Sequence, residues 1–228
     1  KKQLNTFFSN FSEVMLPSFT QETLTDAQLI EFALLHNYKN NIKRFQKGGK
    51  EYQVKIKASF LDESASKYFG KKIKKHQSLE GIDYKNGWYF ITDAAGEEYF
   101  FSQINHLYDN GNNLFTASVS LYSAGSGWTG NVHGNEKEWK KADPEDVPKI
   151  IEVVQATLKK ITEKGKSRYI LLDYQIIPDY SGTYQISDTQ VCNLSVTIQK
   201  NSASEYLYTL QIGDEKSSGK LAIENEGS

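Results

Sequence analysis

The stretch from Gly87 to Tyr122, GWYFITDAAGEEYFFSQINHLYDNGNNLFTASVSLY, constrains the fold more than any other part of the chain. It reads as three strands joined by two turns. Asn86-Gly87 opens it, Ala95-Gly96 marks the first reversal and Asp109-Asn110-Gly111 the second. Asn, Asp and Gly reach positive φ at low steric cost, which tight hairpins require. Aromatic and β-branched residues fill the runs between the turns, as a half-buried pleated surface prefers. Along the third run Phe115, Ala117, Val119 and Leu121 point one way, and Thr116, Ser118 and Ser120 the other. That period of two sets one core face and the register. An antiparallel meander follows, against which the first two-thirds of the chain is expected to fold.

Helical signals precede it. Leu4, Phe7, Phe8 and Phe11 have helical spacing within Leu4–Leu16, and Pro17 ends the run. Thr25-x-x-Gln28 forms a capping box for a helix carrying Leu29, Ile30, Ala33 and Leu34. Tyr52, Val54, Ile56, Ala58 and Phe60 alternate as a strand, after which Asp62 is placed to cap a short helix that Gly70 closes.

After Tyr122 comes SAGSGWTGNVHGNEKEWKKA, a glycine-rich loop (Ser123–Ala142) of about 20 residues, a length that is often functional. Asp143 as cap and Pro144 at the first helical position then predict a helix over Pro144–Lys164, with Val147, Ile151, Val154, Leu158 and Ile161 on its buried face. Tyr169–Ile177 reads as a strand. Beyond Pro178 helical periodicity disappears, and Tyr184–Ser187, Leu194–Gln199, Tyr206–Ile212 and Lys220–Ile223 read as four short strands, with turns at Asn201-Ser202 and Gly213-Asp214.

The expectation is an α+β fold: an antiparallel meander sheet covered by helices (residues 1–178), followed by a small all-β C-terminal meander (179–228). With 228 residues, the chain is large enough to bury a core without a metal or disulfide staple. Its single cysteine, Cys192, permits no internal disulfide. No apolar run reaches the ~20 residues of a membrane-spanning helix. The start at Lys1 suggests a processed N-terminus, consistent with export.

Net charge is −1, yet Lys39–Lys75 holds 12 basic residues against three acidic ones, leaving −10 for the remainder. Such asymmetry can mark a surface that meets anions. No nucleic-acid motif accompanies it, and Lys55 and Lys57 are simply the outward side of an amphipathic strand.

Literal motifs fail on context. Gly125-Ser126-Gly127-Trp128-Thr129-Gly130 matches the dinucleotide fingerprint, but no helix opens at its end. Ser64-Ala65-Ser66-Lys67 matches the serine nucleophile motif of penicillin-binding enzymes, but the companion motifs are a broken Ser187-Asp188-Thr189 and nothing else. Asp109–Asn113 lacks the position-12 glutamate of a calcium loop. His36, His76, His106 and His133 show no zinc-like spacing, so neither a metal nor a cofactor is expected. Two sequons, Asn10-Phe11-Ser12 and Asn193-Leu194-Ser195, matter only in a eukaryotic secretory host.

The start at Lys1, the Tyr68-Phe69-Gly70 segment and the closing GTYQI…LSVTI…YLYTLQIG…SGKLAI meander resemble secreted bacterial lipoproteins of the gut type. Gly182-Thr183-Tyr184 also resembles the first strand of a lipocalin-like barrel, although four strands cannot close one. The resemblance implies an extracellular or envelope-attached protein. The leading functional expectation is a non-catalytic binding module for a carbohydrate or an anionic polymer. Its site would be the glycine-rich loop, with Trp128 and Trp139 as stacking surfaces and Asn131 and His133 giving direction. The alternative is a hydrolase acting on an envelope or dietary polymer, drawing on His133, Glu136, Glu138 and Asp143.

Overall fold

The computed structural model describes residues 1–93, 99–163, 165–178, 181–185, 194–200 and 205–222. The reversal expected at Ala95-Gly96, the turn at Asn201-Ser202, the Ser187-Asp188-Thr189 segment and Cys192 lie outside them. The chain combines helices with antiparallel sheets and divides into two compact units, Lys1–Ile176 and Ile177–Ser228.

In the first unit, α1 (Lys2–Ser12) forms on the expected periodicity but stops four residues short of Leu16, and α2 (Asp26–Asn40) forms where its capping box placed it. The Thr25 hydroxyl accepts from the Gln28 amide at 3.2 Å and the Gln28 side chain accepts from the Thr25 amide at 3.0 Å, completing the capping box. A short strand β1 (Gln46–Lys47) and β2 (Gln53–Lys57) lead into α3 (Ala58–Phe69). Helix α3 therefore begins four residues before the expected cap: Asp62 sits in its interior and faces His76, with Oδ1 3.4 Å from Nε2. Gly70 ends it at φ 64°, as its lack of Cβ allows.

Next come β3 (Asp83–Lys85) and β4 (Trp88–Thr92), which join a small sheet of order β1-β2-β4-β3. This corrects the expected three-strand meander. The run beginning at Gly87 pairs backward with β2, Ile56 opposite Tyr89, and not forward with its sequence neighbour. The larger sheet, order β5-β6-β7-β8, comprises β5 (Tyr99–Gly111), β6 (Leu114–Ala124), β7 (Lys149–Glu163) and β8 (Lys166–Ile177). Its first hairpin turns at Asn112-Asn113, both at positive φ (52° and 63°), slightly beyond the expected Asp109–Gly111.

The second correction is larger: the helix expected over Pro144–Lys164 is strand β7. The capping signals yield a single helical turn, in which the amides of Asp146 and Val147 donate to the Asp143 carbonyl. Pro148 then has no N–H to continue it. Residues spaced by four share a face at either period, so Val154 and Leu158 satisfied both readings. The β-branched Ile150, Ile151, Val153, Val154 and Thr157 favour the strand, and pairing with β6 selects it, Val154 opposite Val119.

One face of the large sheet, carrying Ile104, Ala117, Val119, Leu121, Val154, Ala156 and Leu158, shares a single apolar core with α1, α2 and α3. Phe11 centres that core, its ring 5.1 Å from Phe32, 5.7 Å from Phe69 and 6.3 Å from Tyr174.

Both edges of the large sheet are closed by the N-terminal segment, through side chains on one and mainly through backbone on the other. Along β5, the Ser102 amide donates to Ser9 Oγ and the Ile104 amide to Asn5 Oδ1, each at 3.0 Å. Along β8, Tyr174 and Phe19 exchange two backbone bonds and the Ile176 amide donates to Ser18 Oγ. An open edge would be a template for intermolecular pairing. Asn5→Leu should leave the Ile104 N–H buried without an acceptor and cost about 1–3 kcal/mol. Chemical denaturation would measure this, and wild-type stability in the variant would remove Asn5 from that role.

The second unit is a four-strand antiparallel sheet, order β12-β11-β10-β9, of β9 (Gly182–Gln185), β10 (Leu194–Lys200), β11 (Glu205–Ile212) and β12 (Glu215–Ala222). Gly213 makes the last turn at φ 58°. The expected Tyr184–Ser187 strand begins two residues earlier, and β12 begins five residues before Lys220.

Candidate functional site

The glycine-rich loop connects two adjacent strands, β6 and β7, and folds over the face of the large sheet opposite the helical core. On that face Phe101 of β5 lies directly across from Tyr122 of β6, their rings stacked 5.1 Å apart. Trp128 stacks on Phe101 at 5.2 Å with 7° between planes, and Trp139 meets Phe101 and Tyr122 edge-on. Together with Ala124 these residues make a second apolar cluster. Trp128 is 7% exposed and Trp139 3%. Their ring faces are thus spent on the protein, and no open stacking platform forms. Burial, the large apolar payload of two indoles, explains why a loop this long is folded at all.

Hydrogen bonds complete it. The Trp139 indole donates to the Asn131 carbonyl at 2.9 Å, and Gln103 Nε2 on β5 reaches the carbonyls of Val132 and Gly134 at 2.7 and 2.9 Å. Asn135 caps the short α4 (Glu136–Trp139), its Oδ1 accepting from the amides of Lys137 and Glu138. Asp146 clasps the loop base, its carbonyl accepting from the Gly125 amide and its Oδ1 from the Gly127 amide. A Cβ on Gly125 would lie 2.1 Å from Asp146 Oδ1, and one on Gly130 would lie 2.7 Å from the Trp128 ring. Close approach accounts for these glycines, and no helix N-terminus faces them as a dinucleotide site requires.

Two clefts open on this loop. The first, about 430 Å³, is lined by Trp128, Asn131, Glu138, Lys141, Asp143 and Asp146 among others. The second, about 350 Å³, is lined by Asn5, Gln103, Asn131, His133, Asn135 and Glu138 among others. One lining residue of each carries a buried nitrogen with no hydrogen-bond partner among the described residues, Trp128 Nε1 behind the first and His133 Nδ1 behind the second. Of the four residues singled out in the sequence, Trp128, Asn131 and Trp139 line the first cleft and Asn131 and His133 the second. Gln103, Asn5 and Asp146 were not anticipated. Two come from distant elements, and Asp146 lay inside the expected helix over Pro144–Lys164.

The four residues of the hydrolase alternative do not assemble. Asp143 lines the first cleft, His133 the second and Glu138 both. Glu136 lines neither and sits 3.9 Å from Lys140. No hydrogen bond joins any two of them among the described residues. Nor do three or more metal-ligating side chains cluster there.

A second polar group lies between the helices. Ser64, 5% exposed, accepts from Asn37 Nδ2 at 2.8 Å, while the Lys67 ammonium donates to the Tyr68 hydroxyl at 3.2 Å. The serine and lysine of the Ser64–Lys67 motif are therefore each engaged elsewhere. His36 stacks on Phe32, and burial first, then the cations Lys67 and Arg44, push it down to about 4. Burial raises the nearby Glu13 carboxyl, against the hydrogen bond from Asn40. None of these residues lines either cleft, and the buried ones, Asn37, Ser64 and His36, read as satisfied core polarity. His36 has a consequence for stability. Below pH 6.5 the unfolded chain takes up a proton that the folded chain refuses until about pH 4. Stability should fall over that window by up to about 3 kcal/mol. Glu13 acts in the opposite sense, since its raised folded value relieves a penalty as pH drops. His36→Leu should flatten the loss in denaturation curves taken from pH 7 to pH 4, and an unchanged slope would assign it to other groups.

No helix among the described residues is long and apolar enough to cross a membrane. No family model, no curated protein and no solved structure matches this chain.

Proposed function

We propose that the protein is a non-catalytic binding module, exported to the cell envelope or beyond, that takes a carbohydrate unit in the cleft between Trp128 and Asp146. The larger sheet, covered by helices on its core face, is read as the rigid scaffold that presents this loop on the other. The observation that carries the reading is the Trp128 indole N–H, buried in a cleft wall with no acceptor among the described residues. A buried donor costs free energy until something accepts from it, and a ligand hydroxyl would do so once the Gly130 backbone, which packs against this edge of the ring, moves aside. The cleft's volume suits a small ligand. Its rim carries Glu138, Asp143 and Asp146 as acceptors and Lys141 as donor, which suits hydroxyl groups of both polarities. Three carboxylates against one ammonium disfavour an anionic polymer at this position.

The test is a screen of neutral glycans on the full chain, repeated on Trp128→Phe. That substitution keeps an aromatic ring on Phe101 and removes the N–H together with part of the indole's packing, so a denaturation curve of the variant accompanies the screen. Affinity should drop by about tenfold, the size of one hydrogen bond of about 1.4 kcal/mol. Unchanged affinity would take the indole out of the site.

A further inference from the structure

Resting on that reading, we infer that the ligand is a linear, neutral oligosaccharide whose successive units occupy both clefts, with Asn131 and Glu138 at the junction. Both residues line both cavities, so the two spaces adjoin along one stretch of the loop. A ligand confined to one sugar would leave the second cleft unused.

The second cleft has its own unsatisfied polar groups. Asn5 is 2% exposed; its Oδ1 is committed to the Ile104 amide, and its Nδ2 makes no hydrogen bond among the described residues. Asn131 Oδ1 accepts from the His133 amide, leaving Nδ2 in the same condition. Gln103 is the reverse case: Nε2 is committed to two loop carbonyls, and Oε1 remains as an acceptor. His133 Nδ1 adds a buried nitrogen. Donors and an acceptor, each fixed by the other end of its own amide, form a preorganised set for vicinal hydroxyls. Unlike lysines on a rim, these groups pay little conformational entropy on binding, because the fold already holds them.

Neutrality follows from the first cleft. Glu138, Asp143 and Asp146 outnumber Lys141 in the first cleft, whereas Lys1 and Lys2 face Glu138 in the second, so a chain bearing a carboxylate or phosphate on every unit would meet like charge in the first cleft. A chain of hydroxylated, uncharged units meets acceptors throughout.

The experiment titrates the full chain with size ladders, one to six units, of neutral β-glucan, α-glucan and mannan oligosaccharides, with oligouronates as the charged control. In one neutral ladder affinity should rise at least tenfold from one unit to two or three and then level off, while oligouronates bind more weakly. His133→Ala should reduce the gain with length, whereas Trp128→Phe should weaken every length alike. As a readout that needs no variant, the Asn5 side-chain amide signals in an NMR spectrum should shift with the longer oligosaccharides and not with the monosaccharide. If a monosaccharide binds and longer chains bind no tighter, or leave Asn5 unmoved, the two-cleft inference fails while the binding reading stands. If oligouronates bind as tightly as the neutral ladder, the neutral class is wrong. If no sugar of any length binds, both are overturned.

Discussion

Val154→Asp should destabilise the first unit by about 3 kcal/mol or more, whereas Ile151→Asp, three residues earlier, should cost less than about 1 kcal/mol. Val154 is 0% exposed and faces Val119, also 0% exposed, across β6 and β7 inside the helical core. A carboxylate there has no cation or donor to meet it. Ile151 lies on the opposite face of β7 and is 42% exposed. The pair also separates the two local readings of this segment, because a helix over Pro144–Lys164 would bury both residues on one face. Thermal or chemical denaturation of the two variants decides it: comparable losses would restore the helix, and a large loss at Val154 alone requires the strand.

Trp139→Ala should cost about 3–5 kcal/mol, the range for truncating a buried large aromatic. Its indole packs edge-on against Phe101 and Tyr122 and donates to the Asn131 carbonyl, so the truncation removes packing and one of that carbonyl's two hydrogen bonds, the Gly134 amide keeping the other. Trp139→Phe should retain most of the packing and lose about 1 kcal/mol with the hydrogen bond. If Trp139→Ala instead keeps full stability and merely accelerates amide exchange between residues 125 and 148, the loop is a local unit that opens independently of the sheet. Both clefts depend on the loop staying closed, so either outcome at Trp139 also predicts weaker ligand binding.

The lysine-rich span from Lys39 to Lys75 finds part of its explanation in the small sheet. Lys55 and Lys57 lie over the Trp88 ring, 4.9 and 5.6 Å from its centroid, on the face away from the core. Each such contact contributes about 0.5–1 kcal/mol at an exposed site. A charge excess that looked like a surface for anions is thus, at these two positions, also the outer packing of an amphipathic strand.

Features that depend on a few neighbouring residues were legible in the sequence. The capping box at Thr25, the left-handed stop at Gly70, the core stripes of α1 and α2, and the turn at Gly213-Asp214 are each set by chemistry acting over four residues or fewer. Partner choice was not legible. Nothing within Gly87–Tyr122 says that Trp88–Thr92 pairs with Gln53–Lys57 and not with the strand that follows it, because a hairpin signal specifies a reversal and leaves the edge it joins open. The same holds for Lys149–Glu163. Its apolar residues four apart suit a helix or a strand, and the hydrogen-bonding edge of β6 decided between them, aided by Pro148. The loop's aromatic content marked it out correctly, yet whether an indole faces solvent or Phe101 depends on what lies beneath, and that is contributed by β5. Asn5, Gln103 and Asp146 come together with Trp128 and His133 only because α1 closes the β5 edge and the loop folds back over the sheet. Local chemistry wrote the elements; burial of a face too large for any one of them to cover alone decided where each one went.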